Sequence, residues 1–147
     1  MRHTKRIAVP VALVLALLMA GCVKYGTAPV PTPPPIQVAN SINLLAQSAD
    51  AATSALIAAR DSGKLSQADL NIARKVLVPL AVAIKQLNAE LLSADPWDVQ
   101  KTKMRQYVIA SGVAEVAKQL PPTARAIMLT CLTTFNAVSA GVGGPTI

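Results

Sequence analysis

Four apolar stripes at alternating spacings of three and four residues predict an all-α fold, and the short breaks between them predict an antiparallel up-down four-helix bundle. Two compositional observations narrow this further. Hydrophobic residues make up 52% of the 147 residues and aromatics only 3%, so an aliphatic core is available and a disordered chain is excluded. One His and two Cys are too few for a zinc module or a disulfide scaffold. The predicted order is a leader over 1–21, a Pro-rich linker over 22–35, a helical domain over 36–141 and a flexible tail over 142–147.

The leader opens with Arg2, Lys5 and Arg6 and no acid, then runs apolar from Ile7 to Gly21. As a helix this stretch would span about 22 Å, short of the roughly 30 Å hydrocarbon core of a bilayer. A basic start, a short apolar stretch and small residues at its end have the pattern of an export signal peptide. Its last residues, Leu18-Met19-Ala20-Gly21-Cys22, resemble the lipobox of bacterial lipoproteins. That resemblance implies cleavage between Gly21 and Cys22 and acylation (palmitate or a similar chain) of the new N-terminal Cys22. Two or three chains, at about 0.8 kcal/mol per buried methylene, anchor a protein stably where one does not. Val23, rather than an Asp, follows the cysteine; in the family's sorting pattern this points to the periplasmic face of the outer membrane in a Gram-negative envelope.

Residues 23–35 read VKYGTAPVPTPPP. Proline fixes φ and lacks an N–H, so this segment is expected to be an extended, polyproline-like tether, reaching roughly 40 Å at about 3.1 Å per residue. The alternative is a Pro-rich ligand for a groove on a partner.

The first helix, over about 36–62, carries the stripe Val38, Ile42, Leu45, Ala49, Ala52, Leu56 and Ala59, with Gly63 suited to a left-handed cap. Ser66 is the predicted N-cap of a second helix over about 66–94, with Asp69 three residues on. Its stripe is Leu70, Ala73, Leu77, Leu80, Ile84, Leu87 and Leu91, interrupted by Pro79, where a kink is expected. The run 76–84 reads as the most buried stretch. Asp95-Pro96-Trp97-Asp98 reads as the start of a third helix over about 96–120, with Asp95 as N-cap and Pro96 at the first position. Gly112 lies inside it and is expected to weaken the helix while allowing a neighbouring backbone close, opposite Ala49 or Ala52. A fourth helix over about 123–140 follows Pro121-Pro122, with Ala124, Met128, Cys131, Phe135 and Val138 on its apolar side.

His3 lies in the leader, so the processed chain would have no histidine. Ser-His and Cys-His nucleophile pairs and His-ligated metals are thereby excluded from it. Cys131 falls on the apolar stripe of the fourth helix and reads as a small core residue, the alternative being a reactive or intermolecularly paired thiol. Asp69, Asp95 and Asp98 sit where helix starts favour negative charge, which explains them without catalysis. Lys101, Lys103 and Arg105, near Tyr107, form a cluster that would suit an anionic partner, the alternative being an ordinary solvated face. Trp97 reads as a core-edge residue. Three of the 14 basic residues belong to the leader, leaving 11 against 7 acids, a modest excess.

These observations predict a non-enzymatic, membrane-anchored protein of the cell envelope that acts through protein contacts and uses no cofactor, metal or nucleic acid. Two narrower alternatives are a pilotin-like assembly factor receiving a client helix and a phage-type envelope lipoprotein.

Overall fold

The computed structural model describes residues 34–147; the leader, Cys22 and the linker up to residue 33 lie outside the described residues. The described part is all-α, with no strand. Its helices are α1 (Pro34–Asp61), α2 (Gln67–Leu91), α3 (Trp97–Ala110), α4 (Val113–Ala117), α5 (Pro122–Ile127) and α6 (Leu129–Val142).

Helix α1 begins inside the stretch read as linker. Pro34 and Pro35 fit a first turn, where backbone N–H groups have no intrahelical acceptor in any case. Val38, Ile42, Leu45, Ala52 and Leu56 are buried, as their spacing predicts. On the outer side Thr53 and Ser54 donate their hydroxyls back to the carbonyls of Ala49 and Asp50, at 2.8 and 3.1 Å. The helix closes at Gly63, whose φ of +74° is the left-handed geometry predicted for it; the N–H of Lys64 then reaches the carbonyl of Ala59 at 2.8 Å.

Ser66 caps α2 as its sequence position predicts, accepting the N–H of Asp69 at 3.0 Å. The helix continues across Pro79. One expectation is corrected here: the run 76–84 is not buried throughout. Val76 and Leu80 are fully buried, but Val78 and Val82 are 63% and 54% exposed, because a nine-residue apolar run extends around more of a helix than one core-facing side. The helix ends at Leu91, three residues short of the predicted end.

The predicted third helix divides. Asp95 does not cap it; the Pro96 carbonyl takes the N–H groups of Val99 and Gln100, both at 3.0 Å, and no side chain caps the start. At Gly112 the backbone turns left-handed, φ +64°, separating α3 from the short α4. Close backbone approach is not the reason for this glycine, since nothing lies within 4 Å of where a Cβ would sit. Ser111 secures the junction, donating to the Val108 carbonyl at 2.6 Å and accepting the N–H of Val113 at 3.3 Å.

The predicted fourth helix also divides, at Met128, where the interruption is a single fully buried residue. Beyond α6 the residues read as a flexible tail are hydrogen-bonded to it. Gly144 N–H donates to the Ser139 carbonyl at 2.7 Å, Ser139 donates its hydroxyl to the Pro145 carbonyl, and Ile147 N–H donates to Asn136 Oδ1 at 2.8 Å.

Helix α1 packs on α2 and α6, α2 packs on α3 and α4, and α3 packs back on α6. The enclosed core centres on Phe135, Ile42, Leu45, Leu80, Met104 and Met128, all fully buried. Phe135 is the one aromatic among the buried hydrophobic residues described, so the core is aliphatic, as the composition predicts. No helix among the described residues is long and apolar enough to cross a membrane.

Candidate functional site

The three clustered cations of α3 part company. Lys101 and Arg105, one turn apart, are exposed, whereas Lys103 turns toward the α2–α3 junction. Its ammonium donates to Asp95 Oδ2 and lies 3.4 Å from Glu90 Oε1. The hydrogen bond to Asp95 holds the Lys103 ammonium above the ordinary lysine range; desolvation opposes it and Glu90 adds to it.

Glu90 is one of two buried polar residues among those described, 7% exposed. Ser93 donates its hydroxyl to Glu90 Oε1 at 3.2 Å, and Gln100 donates its amide to the carbonyls of Ser93 and Asp95 at 3.1 and 2.9 Å. A carboxylate taken from water costs free energy unless paired and hydrogen-bonded. Here the pairing and the loop's own carbonyls are satisfied together, so the cluster locks the α2–α3 turn and its groups are committed to one another. Asp69 and Asp98 lie in the first turns of α2 and α3, where the positive end of the helix dipole favours a carboxylate.

Cys131 is 1% exposed, in the core as its stripe position predicts. Burial pushes its thiol above the ordinary value of 9.0, with a Ser48 hydrogen bond pulling the other way. A thiol held neutral and enclosed is a poor nucleophile and a poor partner for an intermolecular disulfide. Trp97 is half-buried against the core edge. Among the described residues no three His, Cys, Asp or Glu side chains gather to hold a metal ion. Gly21 and Cys22 lie outside the described residues.

A groove lies between α2 and α3, which the stripe analysis missed. It encloses about 270 Å³ between Pro79, Val82, Ala83 and Gln86 of α2 and Ala110 and Ser111 at the end of α3. Its α2 wall includes Val82, which stays exposed on a side of the helix not turned into the core. The signal for it was present in the spacing Lys75, Val78, Val82, Lys85: two apolar residues between two cations on one helix face, out of phase with the core stripe.

Neither a protein-family model, nor a curated protein, nor a solved structure matches this chain.

Proposed function

We propose that this chain is a lipid-anchored lipoprotein of the bacterial cell envelope whose helical domain works through protein contacts rather than catalysis. The observation that carries the reading is the ordered series of basic start, short apolar stretch and Leu18-Met19-Ala20-Gly21-Cys22. Lipid on Cys22 would hold the protein to a membrane, at the periplasmic face of the outer membrane in a Gram-negative envelope. Helix α1 begins at Pro34, so the proline-rich residues between are the tether.

The domain itself reads as an up-down bundle whose third arm is α3 with α4 and whose fourth is α5 with α6. Support comes from the closed ring of packing among α1, α2, α3 and α6. An antiparallel α2–α3 pair is supported by Lys103 meeting Glu90 while Ala110, further along α3, faces Pro79 and Ala83, further back along α2. The assembly-factor version of this function, in which a client helix is received, is favoured by the apolar groove between these two helices.

The deciding experiment is fatty-acid labelling and fractionation of the wild-type chain and Cys22→Ser. The wild type is expected to take up label and sediment with membranes, and C22S to lose the label and enter the soluble exported fraction. Label persisting on C22S would overturn the lipobox reading.

A further inference from the structure

Residues 143–147 do not simply trail away from α6. At Gly143 the backbone takes φ +76° and doubles back, and the strap that follows lies along α6 and against α3. A Cβ on Gly144 would come within 2.7 Å of Ser139 Oγ and 3.1 Å of Val108 Cγ1, so a side chain there would displace the strap or turn Ser139 away from it. Pro145 and Thr146 are exposed, whereas Ile147 is half-buried against the core.

The way α6 holds this strap identifies the kind of ligand its surface suits. Ser139, 0% exposed, donates its hydroxyl to the Pro145 carbonyl. Asn136, one turn earlier on α6, accepts the Ile147 N–H on Oδ1 at 2.8 Å and places Nδ2 3.5 Å from the Ile147 backbone oxygen. Both side chains thus address main-chain atoms two residues apart, as a neighbouring strand would, and the strap side chain that packs inward is the aliphatic Ile147. None of these contacts requires the peptide to be joined to α6. A buried hydroxyl without an acceptor is costly, so the surface calls for such a peptide, and the chain supplies one of its own. The strap is joined through Gly143 and Gly144, the residue type with the widest backbone freedom when released.

We infer that α6 carries a binding site for an extended peptide of another protein, with a small residue before a proline and an aliphatic residue two places after it, and that residues 143–147 are its resident competitor. The inference rests on the protein-contact reading above and gives it a partner of stated chemistry, at a surface that shares no residue with the α2–α3 groove.

The test uses the full chain in zwitterionic nanodiscs and a synthetic peptide of the strap's own sequence, Gly-Gly-Pro-Thr-Ile. Binding is read as saturation-transfer NMR from the protein to the isoleucine methyls of the peptide, with empty nanodiscs as background. Two variants loosen the resident strap and leave the walls of the site in place: Gly144→Val, which sets a side chain against Ser139 and Val108, and Ile147→Asp, which puts a charge at the half-buried position. Both are expected to keep the helical circular dichroism of the wild type. They should bind the peptide about tenfold more tightly or better, because in the wild type the strap competes at an effective concentration on the order of millimolar. Adding Asn136→Leu to either variant should abolish binding, and a peptide with aspartate in place of its isoleucine should not bind. Equal binding by wild type and strap variants, binding that survives N136L, or no binding by G144V and I147D would each overturn the site. So would loss of the helical signal in both variants, which would make the strap a fixed part of the fold rather than a competitor. None of these outcomes touches Cys22 labelling, so failure of this site and failure of the lipoprotein reading are separable.

Discussion

Replacing Gly112 with Ala separates two pictures of the third helical arm by the sign of a stability change. In an uninterrupted helix over 96–120, Gly→Ala would stabilise by about 0.8–1.0 kcal/mol, the difference in helix propensity. In the structure Gly112 has φ +64° and ψ 6°, a left-handed conformation that costs a residue with a Cβ about 1–2 kcal/mol. No heavy atom lies within 4 Å of the added carbon, so packing contributes nothing and the cost is purely backbone. The reduced entropy of the unfolded alanine chain offsets about 0.4–1 kcal/mol of it. The net expectation is a loss of about 1 kcal/mol, or a melting point lower by roughly 3–6 °C for a domain of this size. Urea unfolding followed by far-ultraviolet circular dichroism measures it, with an unchanged m-value showing that the native state keeps its extent. Gly112→Asn, which tolerates the left-handed region better, should lose less than Gly112→Ala. A G112A protein more stable than wild type would refute the left-handed junction and restore a continuous helix through Ser111.

Further expectations concern the core, a cap and the alkaline limb of stability. Phe135→Ala, at a position 1% exposed, should cost about 3–5 kcal/mol; set against a total of about 5–15 kcal/mol, this leaves a protein marginally folded in denaturant titration. Ser66→Ala removes the acceptor of the Asp69 N–H and should cost about 1 kcal/mol, with Ser66→Asp restoring most of it. Burial raises the folded Cys131 thiol above its ordinary 9.0, so the stability linked to it is fully present below that pH and is lost as pH rises toward the folded value. Lys103, also raised above its ordinary 10.5, acts in the same direction at higher pH. Thermal melts of wild type, Cys131→Ala and Lys103→Met between neutral and alkaline pH should therefore show an earlier part of the decline absent from C131A and a later part reduced in K103M. A decline beginning below the ordinary thiol value and unchanged in C131A would contradict the assignment.

Much of the domain was legible because its signals are local or periodic. The Ser66 cap and the Gly63 closure depend on residues within one turn, and Val38, Ile42, Leu45 and Leu56 reach the core because a helix repeats its faces every 3.6 residues. Asp95 was misread for the opposite reason. Its carboxylate could cap a helix or meet a cation, and Lys103, eight residues on, competes successfully because the third helix folds it back over the loop. Glu90 shows the same limit, since its burial follows from an ammonium and a hydroxyl supplied by later residues. The candidate cation cluster was found, but which member was neutralised depended on a neighbouring helix.

By itself the sequence determined the helical class, the aliphatic core and the placement of Cys131 within it, because composition and spacing act along the chain. Tertiary structure alone decided where the long helices break, which lysine is paired, that Val78 and Val82 face outward, and that Val82 shares a groove with Ala110 and Ser111. An apolar run supplies more hydrophobic surface than one helix side can bury, and only the arrangement of neighbouring helices selects which part remains in water. The groove beside Val82 is one product of that selection.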